Sequence, residues 1–583
     1  MGINSQAVSK PSALNCVHVC SYVGLVLLRA ESILGCTATR FFRWPFSLPG
    51  GSLLPSCKFV YKRASFRPVC LTSHLHPGKQ LVNFLNPSIL EFLFPFRITT
   101  FFPQPLFSKM RWFVIVSVYL ANLALIRAQQ AGSVNPEVPP PITIKNCIGK
   151  ICKDVTGGAT IDANWRWAFS TESKQNCYTG NTWDPKLCPN GEDCAKNCAL
   201  DGANYKDTYG VVPIENGLKL TFITQGPYGK NFGSRLYFTT GDKYFMFKLK
   251  NKEFSFDVDV SKLPCGLNGA LYFSAMEENG GLDVGNNKCG AKYGTGYCDA
   301  QCPQDVKWIG GKANSDGWVG SKTDPNSGTG NMGSCCTEMD IWEANSISQA
   351  FTPHPCKSPK PTICLGKGCG NGEGDRYKAD CDKDGCDFAS YRWGAKEFYG
   401  PKKTVDTTKK FTVITQFITS NGKDTGPLSE IRRIYVQDGK TIKNEAVKIP
   451  GLAKPADSIT EGFCDATKKL TGDINDFKIK GGMTAMDAAF EKGMVLVFSL
   501  WDDHMASMNW LDSNYPPTKD AKLPGVARGT CDAKDGDPEN VRAKFGDASV
   551  EFSNVKIGPI SDTATATSTD THKSRKACRS VRY

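Results

Sequence analysis

Three carboxylates stand within six residues in Gly333-Ser334-Cys335-Cys336-Thr337-Glu338-Met339-Asp340-Ile341-Trp342-Glu343-Ala344-Asn345-Ser346, spaced as E-x-D-x-x-E. In an extended strand Glu338 and Asp340 point to one face while Met339 and Ile341 enter a core. Strict alternation sends Glu343 to the other face. All three acids share a cleft only if an extra residue bulges out between Asp340 and Glu343, and bulges of this kind re-aim side chains beside active sites. A straight run over these five steps spans about 16 Å at roughly 3.3 Å per residue. Bulge and leaning side chains must close that to ~5–5.5 Å for carboxylates that cleave a glycosidic bond with retention, against ~6.5–9.5 Å for inversion. The competing reading is a solvated acidic strand edge, which suits two carboxylates at period two. Three crowded carboxylates repel, and a fold that keeps them together uses the crowding to push their pKa values apart. Glu338 then serves as ionised nucleophile and Glu343 as protonated acid that later acts as base. Asp340 holds Glu338 and modulates its charge.

The surrounding elements read as strands. Polar and apolar residues alternate strictly in Glu253-Phe254-Ser255-Phe256-Asp257-Val258-Asp259-Val260, as on a half-buried sheet. Similar runs span 219–224, 235–239, 271–274, 411–419, 433–437, 494–500 and 550–557. The segments between them, rich in Gly, Asn, Asp and Pro, are loops by composition. With no internal repeat or interior linker, residues 129–560 read as one large β-sandwich whose long loops carry function. A Thr/Ser/Ala tract from Ser561 to Thr569 opens a linker-type, basic tail, and 561–583 is expected to be disordered.

Charge divides the 583-residue chain. Residues 1–128 hold 13 Lys or Arg and 2 Asp or Glu, whereas 129–583 hold 57 and 55. The larger part therefore lacks the basic face that nucleic acid or an anionic membrane surface requires. From Met110 a basic start at Arg111, an apolar run and Ala128 before Gln129 read as a secretory signal over 110–128, too short for a membrane span. Residues 1–109 read as an unstructured extension upstream of a start at Met110, with an anchor or pro-segment as the competing reading.

Twenty of the 25 cysteines lie at or after Cys147, many closely spaced, as at Cys188/Cys194 and Cys364/Cys369. Behind a secretory signal this means disulfides. Structural zinc prefers C-x2-C units or His partners, and the chain has only 6 His. Asp380-Cys381-Asp382-Lys383-Asp384-Gly385 imitates the start of a calcium loop, but the twelfth position is Tyr391 where a bidentate Glu is required. No metal and no cofactor is expected, and the protein is expected outside the cell, with no membrane attachment once the signal is cleaved.

With Ser346-Ile347-Ser348 and Thr352-Pro353-His354-Pro355-Cys356 after it, the acidic segment closely resembles the catalytic strand of glycoside hydrolase family seven. The resemblance covers nearly all of 129–560. It includes Ile161-Asp162-Ala163-Asn164-Trp165-Arg166-Trp167, Leu263-Pro264-Cys265-Gly266-Leu267-Asn268-Gly269-Ala270-Leu271-Tyr272, Ala291-Lys292-Tyr293-Gly294-Thr295-Gly296-Tyr297-Cys298-Asp299 and Ser499-Leu500-Trp501-Asp502-Asp503. It implies an all-β, concanavalin A-like jelly-roll sandwich of two curved antiparallel sheets, with long disulfide-held loops and a cellulose-binding groove.

In that family Glu338, Asp340 and Glu343 match nucleophile, assisting acid and acid/base, and His354 matches an active-site histidine. On the residues alone His354 reads as a loop residue between two prolines. Trp165, Trp167, Trp501 and Trp510 match sugar platforms, in keeping with flat indoles stacking on pyranose faces. Asn268, Tyr272, Asp299, Gln301, Lys307, Arg376, Asp384, Arg392 and Arg528 match polar groups along the groove, where forked and paired donors and acceptors suit sugar hydroxyls. The resemblance also implies nine bridges: Cys147–Cys152, Cys177–Cys198, Cys188–Cys194, Cys265–Cys531, Cys298–Cys336, Cys302–Cys335, Cys356–Cys381, Cys364–Cys369 and Cys386–Cys464. Cys289 and Cys578 are left over.

The chain also departs from the family. Gly132 and Ala199 stand where many members carry a further cysteine pair, which implies a less tethered N-terminal segment. His504 and Met505 occupy positions where aromatic residues are common. The loop 370–375 is one residue short and lacks a Tyr, and both changes bear on product affinity. Loop-sized segments at 366–387 and 463–483 imply a roofed groove, hence a monomeric cellobiohydrolase acting on cellulose or another β-1,4-glucan, with an acidic optimum because Glu343 must be protonated. The alternatives are an open-groove endoglucanase, a non-catalytic cellulose-binding sandwich, since one fold hosts many functions, and a structural wall protein.

Overall fold

The computed structural model describes residues 129–149 and 151–560. The stretch 1–109, the signal segment 110–128, the tail 561–583 and Cys578 lie outside the described residues.

Alternating side chains build two antiparallel layers, with strands numbered along the chain. One layer holds, side by side, β5 (Val211–Ile214), β6 (Gly217–Thr221), β16 (Ser549–Pro559), β8 (Lys252–Asp259), β12 (Phe411–Thr419), β13 (Leu428–Gln437) and β14 (Lys440–Lys443). The other holds β3 (Ile151–Ile161), β7 (Ser234–Thr240), β15 (Met494–Asp502), β9 (Leu267–Ser274), β10 (Glu338–Ala344) and β11 (Gln349–His354). The hairpin of β2 (Pro141–Ile148) with β3 joins the layers at one edge, where β2 runs parallel to β16. This is the all-β sandwich read from the sequence.

The core lies between the layers. Phe254, Phe256 and Val258 of β8 and Met339, Ile341 and Trp342 of β10 are fully buried. The Trp342 ring stands edge-on to Phe256, Phe411 and Tyr399 at 6.2, 5.8 and 5.9 Å between centroids. Emptying that position by Trp342→Ala would cost about 3–5 kcal/mol.

The run 411–419 coincides with β12, while 433–437 and 271–274 are only the second halves of β13 and β9. The run 219–224 is broken at Phe222. Its N–H donates to the Ala548 carbonyl and its own carbonyl accepts from Gly233 N–H, so the chain changes partners there.

The segment 463–483 is not a loop. Most of it lies in α1 (Glu461–Thr471), α2 (Asp476–Ile479) and the start of α3 (Gly482–Lys492). Thr460 caps α1 by accepting from Phe463 N–H, left-handed Gly472 closes it, and Phe463, Met486 and Phe490 are buried. All nine implied bridges are formed, and Cys289 is free and buried.

The N-terminal segment is held without the missing cysteine pair. The strand β1 (Gln130–Ala131) pairs in parallel with β4 (Cys198–Leu200), and Asp201 accepts from the Val134 and Asn135 N–H groups. A Cβ on Gly132 would stand 2.7 Å from the Phe169 ring. Among the described residues no helix is long and apolar enough to cross a membrane.

Candidate active site

The bulge required by the acidic segment is present. Across β10 and β11, Asp340 pairs with Thr352 and Glu343 with Ala350, so Ile341 and Trp342 together oppose Phe351. The register with β9 also shifts, between Leu271 and Phe273. Both apolar residues enter the core, and Glu343 turns to the face of Glu338 and Asp340.

Glu338 Oε2 accepts from Ala300 N–H at 3.0 Å. Asp340 Oδ2 lies 3.0 Å from His354 Nε2, and His354 Nδ1 lies 2.8 Å from the Asp382 carbonyl. A carbonyl only accepts, so Nδ1 carries hydrogen. Nε2 then meets Asp340 as acceptor of its carboxyl proton or, on a charged ring, as donor. His354 itself lies on strand β11, and so corrects the loop assignment made from its flanking prolines. Prolines are tolerated at a sheet edge, where a missing N–H interrupts no ladder.

Burial pushes the Glu338 carboxyl well above its usual range, reinforced by Asp340 and Asp299 and opposed by His354 and Ala300 N–H. Burial and Glu343 push Asp340 up in the same way. Asn268 Nδ2 donates to Glu343 Oε1 at 3.0 Å, and Asn268 Oδ1 accepts from Ala344 N–H at 3.0 Å, so the amide is fixed at both ends. Burial raises Glu343 to about 7, with His354 and Asn268 pulling it down and Asp387 pushing it up. Glu343, raised to about 7, is thus a carboxyl that can carry a proton on the acidic side of neutrality, as a proton donor must.

Two groups of residues flank the acids. Beside Glu338, Asp299 accepts from Tyr297 hydroxyl at 2.6 Å and from Gln301 N–H at 2.7 Å, and the Tyr272 and Tyr297 hydroxyls are 2.9 Å apart. Gln301 Nε2 donates to the Lys383 carbonyl at 2.8 Å, and Arg376 binds Asp384 at 2.6 Å and the same carbonyl at 3.0 Å. On the other side Asp387 pairs with Arg392 and stands 3.9 Å from Arg528. Arg528, pulled down to about 9 by burial, donates to the Trp510 carbonyl at 3.3 Å. Trp510 stacks on Trp501 at 6.2 Å, and Trp501 is the cross-strand partner of Asn268.

Further out, Lys307 donates to the Asn164 carbonyl at 2.8 Å, lies 4.1 Å over the Tyr178 ring and is lowered by burial to about 8. Trp165 donates to the Phe232 and Gly233 carbonyls at 3.3 and 3.1 Å. Trp167 stands apart, stacked on Phe169 at 4.5 Å.

Sequence reasoning missed Tyr297, Asp387 and Lys383. Lys383 Nζ bonds the Gln301 carbonyl and, at 2.5 Å, Asn371 Oδ1, and burial lowers it to about 8. The decoy calcium motif turns out to be the wall behind His354. Gly385 has φ +66°, and a Cβ there would stand 2.6 Å from His354 Cε1 and 2.3 Å from Thr352 Cγ2.

Paired carboxyls and flat indole faces are groups that glycoside hydrolysis uses. A family model described as Glycosyl hydrolase family 7 matches residues 131–564, and the chain belongs to that family. It is similar to a cellobiohydrolase of this family from Daphnia pulex, with 51% identity and a TM-score of 0.73, covering 75% of this chain and 100% of that one. A cellobiohydrolase from Melanocarpus albomyces, solved in complex with cellotetraose, shares 44% identity at a TM-score of 0.70 over 74% of this chain and 99% of that one. The endocellulase EGI of Humicola insolens shares 34% at a TM-score of 0.63, over 75% and 100%.

Proposed function

We propose that this protein is a secreted, monomeric cellobiohydrolase that cleaves β-1,4-glucosidic bonds of cellulose from chain ends with retention of configuration. The observation that carries the reading is the bulge between Asp340 and Glu343, which puts three carboxyls on one face. Glu343 gives its proton to the glycosidic oxygen while a Glu338 carboxylate oxygen attacks the anomeric carbon, and the leaving sugar departs with a free hydroxyl. In this step Asp340, 3.0 Å from His354 Nε2, carries a proton and Glu338 is ionised. Water, deprotonated by Glu343, then attacks the same carbon and frees Glu338, and Glu343 regains its proton. Trp165, Trp167, Trp501 and Trp510 carry glucose rings, and Asn268, Tyr272, Asp299, Gln301, Lys307, Arg376, Asp384, Arg392 and Arg528 hold their hydroxyls.

Chain-end action is supported by the higher identity to cellobiohydrolases, 51% and 44%, than to the endocellulase, 34%. Incubation with cellulose and with soluble carboxymethyl cellulose tests the assignment. Cellobiose release with little loss of viscosity is expected, and a fast viscosity drop would reassign the enzyme as an endoglucanase. Glu338→Gln should abolish turnover and keep cellulose binding; undiminished hydrolysis would remove Glu338 from the mechanism.

A further inference from the structure

Arg433 lies on β13, in the layer opposite the carboxyls. It shares a face with the buried Ile431 and Tyr435, so alternation drives its side chain into the core, where it is 1% exposed. Its Nη2 crosses the sandwich and donates to the carbonyl of Ile341, one of the two bulged residues between Asp340 and Glu343. Nε and Nη1 find no acceptor, and among the described residues no carboxylate pairs with the guanidinium. The Tyr435 hydroxyl is near enough to favour the charge but makes no hydrogen bond of acceptable geometry. The charge is lodged among the rings of Phe351, Trp342 and Tyr435, at 4.3, 5.8 and 5.8 Å from their centroids.

A buried, unpaired guanidinium costs several kcal/mol, and apolar residues of similar volume often fill such a place at no loss of stability. Packing alone therefore does not account for Arg433. The bulge does. It disrupts the ladder locally, and a buried carbonyl left without a donor costs about 1–3 kcal/mol. A side chain that answers this carbonyl from the facing layer needs both the length to cross the core and a donor at its end, and the faces of the surrounding rings attract its charge.

We infer that Arg433 is a positioning residue for the reaction: by bonding the Ile341 carbonyl it fixes the bulge, and with it the direction in which Glu343 presents its carboxyl relative to Glu338. This rests on the reading of Glu343 as acid/base. Arg433→Met keeps the volume and removes the donors. Against unactivated cello-oligosaccharides it should lower kcat on the order of 10²-fold with KM within about twofold, because misplacement by an ångström costs about that much. On an aryl β-cellobioside with an activated leaving group, which needs no acid for departure, the first step should fall far less. Arg433→Lys, which restores one donor, should recover most of the loss. Wild-type kcat and pH profile in Arg433→Met, or equal losses on both substrates, would overturn the proposal. So would failure of both variants to fold, which would assign Arg433 to folding alone. Glu343→Gln in parallel separates the two levels: full activity of that variant on the unactivated substrate would sink the acid/base reading itself.

Discussion

The two sides of the carboxyl cluster are anchored by different physics. On the Glu338 and Asp340 side the anchors are covalent. Ala300, which donates to Glu338, lies between Cys298 and Cys302, bridged to Cys336 and Cys335 just before the catalytic strand. His354 sits two residues before Cys356, whose bridge to Cys381 adjoins the Asp382 carbonyl that fixes the imidazole. On the Glu343 side a single bridge, Cys265–Cys531 just before β9, stands beside a run of ion pairs. Asn268 adjoins Leu267, the cross-strand partner of Asp502. Asp502 binds Arg542 of α4 (Pro538–Lys544) at 2.7 Å and stands 3.7 Å from His504. His504 and Arg542 in turn approach Asp324 at 3.8 and 3.7 Å. Disulfides ignore salt, whereas partly exposed ion pairs are screened by it. The side near the proton donor thus leans more on contacts that salt screens than does the side that fixes the nucleophile.

The sharpest way to break this contrast is to remove a staple. Cys356→Ala with Cys381→Ala opens a bridge of sequence separation 25, and loss of such a bridge should lower the unfolding free energy by about 2–4 kcal/mol. Denaturant unfolding measures it, and kcat should fall with it as His354 loses its backing. Stability and rate unchanged from wild type would show that hydrogen bonds alone hold this side.

On the other side, Asn268→Ala removes the donor that favours ionised Glu343. The carboxyl should then rise above about 7, and the basic limb of the kcat/KM profile should move up by about one pH unit or more. A limb that stayed in place or moved down would show that Asn268 does not tune the proton donor.

Glu343 also enters stability. Its folded carboxyl is raised from 4.5 to about 7, so between those values the native state holds a proton that the unfolded chain has lost. Unfolding free energy should fall as pH rises through that window. Glu343→Gln should flatten the part of the Tm-versus-pH curve between them, and an unchanged slope would contradict the raised value.

Much of the site was legible because it obeys the period-two rule or breaks it for a visible reason. Glu338, Met339, Asp340 and Ile341 follow alternation, and a cleft shared with Glu343 required the bulge that the register shows. The disulfide pairing was legible only through family resemblance, because spacing leaves many connectivities open. His354 was hidden by Pro353 and Pro355, which read as a loop although an edge strand accepts them. The helices over 461–492 were hidden by an expectation of loops, although Thr460 and Gly472 are ordinary cap signals. Lys383 gave no signal, since its partners are a backbone carbonyl and a remote amide.

The smallest expected effect tests the ionic side directly. The Debye length falls from ~30 Å at 0.01 M salt to ~3 Å at 1 M, and exposed pairs are worth about 0–1 kcal/mol each. Asp324 is only partly buried and its contacts with His504 and Arg542 exceed 3.5 Å, so Asp324→Asn should lower stability by under ~1 kcal/mol at low salt and by less at 1 M. The doubly substituted Cys356/Cys381 variant should keep the full salt dependence of the wild type, because its lesion lies on the covalent side. If Asp324→Asn kept that dependence too, Asp502 and Arg542, at 2.7 Å, would alone account for it, and the approach of the Asp324 segment would be a matter of loop packing rather than charge.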